Sequence, residues 1–355
     1  MRRGLAIVAL AMISCTTGPS PAPASRTPTL TISPNAPALF QGPRPPGGYF
    51  VGMAYDASRR ETVVLNVNSH NFSDIQTWSW NGMSWKQHHP ETSPTTVLGL
   101  AYDAARERVI GFGKAGHVPP SSVDPGETWT WDGKTWRLES PVTYPVGRQQ
   151  PALVYDRKRQ RVVMFGGVGR PNERLADVWA WDGTDWSRLP DNPYPDWSLS
   201  EAAYDPIRDQ IVVFLPTGYM ETRQMSFFDG TGWSQRVVAN EELPMRGTLA
   251  FDPGRNQVVL FGLEVDWTGH PVNFLIGEST TWAWNGTNWL RVDSGNGPQV
   301  GDPRLVYDSA RQVLVLFGGV SSAPLPSPYP RGSCCGLAPA NEVWEFAGRR
   351  WTKRA

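Results

Sequence analysis

Val178-Trp179-Ala180-Trp181-Asp182-Gly183-Thr184-Asp185-Trp186 is the stretch on which the fold turns. Two aromatic segments flank an Asp-Gly pair, and both turn residues tolerate the positive φ that a tight hairpin requires. The same pattern, W-x-W-[DN]-G-x-x-W, returns at 78–85, 129–136 and 282–289. Weaker copies are Phe228-Asp229-Gly230 with Trp233, and Trp344, Phe346 and Gly348 with Trp351.

Upstream of each copy lies a second element: an aromatic residue, then Asp-x-x-Arg, then an apolar run. The pairs are Tyr55-Asp56 with Arg59, Tyr102-Asp103 with Arg106, Tyr155-Asp156 with Arg159, Tyr204-Asp205 with Arg208, Phe251-Asp252 with Arg255, and Tyr307-Asp308 with Arg311. The runs that follow, such as Val162-Val163-Met164-Phe165-Gly166-Gly167, are short, β-branched and closed by Gly, as a buried strand is. Each repeat therefore predicts two hairpins, or four antiparallel strands.

Spacing separates variable from fixed parts. From the final Trp of one repeat to the Asp of the next is 18, 20, 19, 19 and 19 residues, whereas Asp to final Trp within a repeat is 29, 33, 30, 28, 37 and 43. Insertions thus fall between the second and third strands, and a near-constant link joins one module to the next. Radial stacking of blades needs such a link. The expectation is an all-β, six-bladed propeller over residues 47–355.

The strand-ending Gly166-Gly167, the variable loop, the aromatic third strand Val178-Trp179 and Trp186 on the fourth strand resemble the Kelch family, over about residues 47–353. Only repeats three and six keep the full Gly-Gly. The resemblance implies a Kelch-like propeller. Such propellers are mostly binding scaffolds for proteins or glycans, and a minority are enzymes, including copper-radical oxidases and sialic-acid epimerases. Fold does not fix chemistry.

Composition agrees with the β reading: Gly 35, Pro 33 and Trp 17 accompany only 19% charged residues, a poor mixture for long helices. Lys+Arg 33 balances Asp+Glu 33, which argues against nucleic acid as a partner, since that needs a basic footprint. Residues 1–14 read as an export signal, with Arg2-Arg3 ahead of an apolar run too short to span a bilayer. The run ends at Met12-Ile13-Ser14-Cys15, which resembles the lipobox of bacterial lipoproteins. That resemblance implies a lipidated Cys15 and an exported chain, membrane-anchored through the lipid, periplasmic or at the cell surface. An ordinary secretion signal is the alternative. Residues 15–46, rich in Pro, Ser and Thr, read as a tether.

Fifteen of the Trp residues fall on repeated strand positions and are expected in blade packing. Trp197 and Trp267 lie outside the pattern and are ligand-contact candidates, because loops carry function. Glu264, Asp266 and His270 join Trp267 in the long loop of repeat five. Arg148, Gln149, Arg246 and Arg304 lie on links expected on the same face. The six Asp-x-x-Arg pairs read as structural turns, because an active site needs one set of acids and not six. Cys334 and Cys335 form a vicinal disulfide or stay reduced. The five His show no metal-ligand spacing, and no cofactor is expected. The expected work is noncatalytic recognition of an envelope or extracellular protein or glycan. The alternative is a carbohydrate-active enzyme of epimerase, lyase or hydrolase type that uses rim carboxylates.

Overall fold

The computed structural model describes residues 40–47, 51–68, 71–96, 98–113, 125–169, 173–193, 201–215, 223–238, 242–244, 246–263, 278–321 and 338–355. Regular structure among them is entirely β, in six four-stranded antiparallel sheets. The inner strands are Val51–Asp56, Gly99–Asp103, Ala152–Asp156, Glu201–Asp205, Arg246–Asp252 and Arg304–Asp308. The outer strands are Trp85–His88, Trp136–Leu138, Trp186–Leu189, Trp233–Val238, Trp289–Arg291 and Arg350–Lys353. Each inner strand lies against those of both neighbouring blades, and blade 6 meets blade 1, so the ring is closed. A short pair, Val320–Ser321 with Ala338–Pro339, is added in blade 6.

The third hairpin position explains the aromatic repeat. Trp80 faces Trp85 across the turn, as do Trp131 and Trp136, Trp181 and Trp186, Phe228 and Trp233, Trp284 and Trp289, and Phe346 and Trp351. Ring centroids in these pairs are 4.9–5.5 Å apart. The outer-strand Trp then reaches back to the preceding blade. Trp136 Nε1 donates to Thr77 Oγ1 at 2.9 Å, Trp186 to Thr128 at 2.8 Å and Trp351 to Thr281 at 2.8 Å. Trp289 donates to Met225 Sδ at 2.9 Å, and Trp233 to the Pro190 carbonyl at 3.0 Å. Truncating such a buried ring costs about 3–5 kcal/mol.

The other end of each blade is locked by the Asp-x-x-Arg turn. In blade 1, Asp56 Oδ1 accepts the Arg59 N–H at 3.1 Å while Arg59 Nη1 donates to Asp56 Oδ2 at 2.7 Å. Blades 2, 4 and 6 repeat the geometry with Asp103 and Arg106, Asp205 and Arg208, and Asp308 and Arg311. The expected structural turn is therefore present, but each Arg does more. Arg59 lies over Gly133 of blade 2, Arg106 over Gly183 of blade 3, Arg159 over Gly230 of blade 4, Arg208 over Gly286 of blade 5 and Arg311 over Gly82 of blade 1. Those glycines have φ of +92° to +103°, and a Cβ at any of them would collide with the neighbour's guanidinium. The positive φ of the turn demands Gly, and the guanidinium of the preceding blade occupies the space a Cβ would take. Arg255 completes the circuit by donating to the Gly348 carbonyl.

In blades 1, 2 and 3 the tyrosine before the Asp joins the same circuit. Tyr102 Oη accepts the Ser58 N–H at 3.1 Å, Tyr155 the Ala105 N–H at 3.0 Å, and Tyr55 the Ala310 N–H at 3.2 Å. Phe251 in blade 5 lacks the hydroxyl.

The seam between blades 6 and 1 differs from the rest. Trp85 packs on Phe317 at 5.0 Å, but its indole N–H is buried without a partner. The position that holds Thr77, Thr128 or Thr281 in blades 1, 2 and 5 is Val343 here; blade 3 has Val178 there as well, but Trp233 finds the Pro190 carbonyl instead. No peptide link crosses this seam, and the last residues of the segment read as a tether take its course. Phe40 N–H donates to the Arg354 carbonyl at 2.9 Å, its ring stands edge-on to Trp80 at 6.0 Å, and Asn66 Nδ2 donates to the Pro46 carbonyl at 2.6 Å.

Two measurements test this account of the seam. Val343→Thr places a hydroxyl where Trp85 can donate, and raises unfolding stability by about 1 kcal/mol; in a Trp85→Phe background the gain vanishes. Phe40→Ala lowers stability by about 2 kcal/mol in denaturant unfolding, the worth of a partly buried aromatic ring.

Candidate functional site

Strand direction fixes what shares a face. Inner strands run toward the Asp-x-x-Arg turns, so their first residues lie at the opposite end, together with the interblade links and the second-to-third-strand insertions. Two bridges show this directly: Gln149 pairs with Val168, just after Gly166-Gly167, and Gly301 pairs with Val320, just after Gly318-Gly319. These glycines carry φ of +68° to +87°, the left-handed conformation that lets the chain turn back under the link.

The inner strands enclose a channel of about 600 Å³ along the ring axis. Tyr55, Tyr102, Tyr155, Tyr204, Phe251 and Tyr307 line its turn end. At the loop-rich end the decisive feature is one column, the residue four positions before each repeated Asp. It reads Gly52, Gly99, Ala152, Glu201, Thr248, Arg304 from blade 1 to blade 6. On blades 1 and 2 a larger side chain would meet backbone, because a Cβ on Gly52 would collide with the Leu98 carbonyl and one on Gly99 with that of Pro151. Blades 4 to 6 instead present a carboxylate, a hydroxyl and a guanidinium. Arg304 Nη1 donates to Glu201 Oε1, and Thr248 Oγ1 donates to Glu201 Oε2 at 3.4 Å. The two charged side chains keep 30% and 24% of their surface open. Burial of its surroundings pushes the Arg304 guanidinium down to about 10, which leaves it protonated at neutral pH, and the pairing with Glu201 favours that charged form.

The sequence candidates separate by position. Arg304 stands on the channel wall. Arg148 also borders the channel, but it is wholly buried and its head group is held on every side. Nε donates to the Val146 carbonyl at 3.1 Å, Nη1 to the Gly166 carbonyl at 3.1 Å and to Asp177 Oδ1 at 2.7 Å, and Nη2 to Asp177 Oδ2 at 2.8 Å. Arg148 therefore anchors the Gly166-Gly167 turn. Burial raises the Asp177 carboxyl, but the bonds and charge of Arg148 more than offset this and hold it below the usual carboxylate range. Arg246 opens the inner strand of blade 5, and Gln149 lies in the link of blade 3 beside the channel. Trp197, Glu264, Asp266, Trp267, His270, Cys15, Cys334 and Cys335 lie outside the described residues. Among the described residues no group of His, Cys, Asp or Glu has metal-holding geometry.

Glu201, Thr248, Asp302 and Gln150 border the channel, and sequence reading passed over them. The signal was available in the repeat itself: the column turns from small to polar between blades 3 and 4, while the two positions after it stay apolar.

No protein-family model matches the chain, and no curated protein matches it. Among solved structures the chain is similar to YjhT, with a TM-score of 0.58 and 10% identity over 88% of this chain and 99% of that one. A second similar structure is XC5397 from Xanthomonas campestris, described as a gluconolactonase important in glucose secondary metabolic pathways. Its TM-score is 0.49 and its identity 15%, over 77% of this chain and 84% of that one. At 10% identity the likeness to YjhT shows the propeller fold alone.

Asp177→Asn tests the anchoring role of Arg148. Leaving the buried guanidinium without its counter-charge lowers unfolding stability by about 3–5 kcal/mol. Because the Asp177 carboxyl is depressed in the folded state, its contribution is present above its unfolded value near ~4 and is lost as pH falls below it. The wild-type stability profile therefore declines more steeply on the acid side than that of the variant.

Proposed function

We propose that this chain is an exported recognition module of Kelch type, held at a membrane through a lipid on Cys15, that binds an envelope or extracellular glycan or protein without chemical turnover. The observation that carries the reading is the division of labour between the two faces. On the turn face every repeat spends its Asp and its Arg, and blades 1 to 3 also a Tyr hydroxyl, on closing the ring. The opposite face collects the links, the insertions of most variable length and the polar end of the channel. Functional groups gather on loops held by a rigid scaffold, and this scaffold leaves one such face.

A noncatalytic role fits the chemistry of the wall better than acid–base catalysis does. Glu201, the carboxylate on the inner-strand column, is held by Arg304 and Thr248; these bonds stabilise its ionised form and make it a poorer proton acceptor for catalysis, while each oxygen keeps a lone pair for a ligand hydroxyl. The short apolar leader, the residue pattern at Cys15 and the Pro-rich segment that follows support the anchored location.

The full chain, produced in a bacterial host and solubilised in mild detergent, is the reagent for the test. Acyl labelling is expected on the wild type and absent in Cys15→Ala. Glycan-array binding and capture from envelope extract are expected for the wild type and lost in a folded Trp197→Ala/Trp267→Ala double variant. Capture that persists in the double variant removes both Trp residues from the recognition surface, and steady conversion of a captured glycan to product overturns the noncatalytic reading.

A further inference from the structure

We infer that the channel wall formed by blades 4 to 6 is a binding site for an uncharged polyhydroxylated ligand, the terminal unit of a neutral sugar, held end-on by Glu201 and Arg304, with the buried Thr248 hydroxyl orienting the Glu201 carboxylate. The inference rests on the loop-rich face being a recognition surface, and it names what that surface takes in its centre.

The first support is that these three residues have no part in the locks that hold the ring. Those locks are the outer-strand Trp residues, the Asp-x-x-Arg turns and the Tyr hydroxyls. In the same column, blades 1 to 3 close with Gly52, Gly99 and Ala152. A partly desolvated ion pair in place of small residues returns little or no stability, because the cost of stripping two charges of water offsets their attraction. An Arg–Glu pair facing a cavity is therefore poorly explained by the fold.

The second support is charge. Arg304 is paired with Glu201, and Arg148 with Asp177. Among the described side chains at this end of the channel, each of these two cations thus has a carboxylate beside it, and Asp302 adds a further acceptor to the lining, so an anionic ligand finds no lone cation there. What the wall offers is a set of hydrogen-bonding groups, guanidinium donors and carboxylate acceptors, with the Thr248 hydroxyl behind them on Glu201. Vicinal sugar hydroxyls, each a donor and an acceptor, match that set.

The third support is shape. A volume of about 600 Å³ falls within the ordinary range for small-ligand pockets, roughly 300–1,000 Å³. Across from the polar wall the lining includes Val67, Ile75, Leu98 and Leu100 of blades 1 and 2, an apolar surface suited to the C–H face of a sugar ring. Polar groups stand at the loop-rich end of the channel and the aromatic set lines the other, so the ligand enters along the axis with one unit inside and the remainder outside.

The test is titration calorimetry of the full chain with D-glucose, D-galactose, D-mannose and N-acetyl-D-glucosamine, with D-glucuronate and D-galacturonate as charged counterparts. Each is measured at roughly 50 and 500 mM salt, where screening separates charged from neutral recognition. At least one neutral sugar is expected to bind, with an affinity that changes less than twofold between the two salts. Glu201→Gln and Thr248→Val are expected to weaken that binding at least tenfold, with near-UV circular dichroism and thermal unfolding unchanged; Thr248→Val serves if the charge change perturbs folding. Absence of binding by all four neutral sugars, binding confined to the sugar acids and lost at high salt, or neutral-sugar binding that survives both variants overturns the inference. Capture of an envelope protein or glycan that persists in both variants leaves the recognition reading standing and removes only the channel site. Loss of all capture in the wild type removes the recognition reading itself.

Discussion

The tryptophan that opens each outer strand is the contact from which the rest of this ring follows. It is paired within its own blade to the last aromatic of the third strand, and in blades 2 to 6 it donates its indole N–H backward across the blade boundary. One side chain therefore fixes both the twist of a hairpin and the distance between neighbouring sheets. Its area supplies the attraction and its single N–H supplies the direction, since a buried indole left unpaired costs the desolvation of that group. The Asp-x-x-Arg turn does the complementary task at the inner edge. Its Asp gathers backbone donors within the blade, and its Arg lies over the glycine of the next. Repeated in sequence, these two contacts orient each blade from the one before, and the circle closes when six have been placed.

The boundary between blades 6 and 1 lacks two of the contacts found elsewhere in the ring. Between blades 6 and 1 the Thr that receives the indole proton is replaced by Val343, and the peptide link present at the other five boundaries is absent by topology. Compensation comes from other groups. Arg311 bonds both Asp308 and Glu345, Arg354 bonds Glu345, and residues 40–46 lie over the joint with Phe40 against Trp80. A segment whose composition suits a tether thus ends as part of the propeller, because its last apolar residue finds an aromatic surface that the seam leaves open.

A repeat architecture makes function visible as broken symmetry. Six equivalent acids on the turn face hold the ring, whereas the column facing the channel is small on three blades and polar on three. A ring built from equal blades has no structural need for that inequality. Arg148 shows the opposite case: an arginine on a link, beside the channel, whose whole head group is consumed by Asp177 and two carbonyls. Proximity to the face does not make a residue available; the state of its hydrogen bonds does.

The sequence by itself determined the class, the number of blades, the strand count in each and the tight Gly turns. All of these follow from local patterns of period two and turn chemistry repeated at nearly constant spacing. It also identified the Asp-x-x-Arg pairs as structural, because repetition is readable without coordinates of any atom. Only the tertiary structure decided that each of those arginines belongs as much to the next blade as to its own, that Arg148 is sealed, and that Glu201, Thr248 and Arg304 meet. These residues stand far apart along the chain, and the contacts between them exist only once the ring brings blades four, five and six around a common axis. Distance in sequence hides such contacts, since no local rule specifies which side chains of separate repeats will face one cavity.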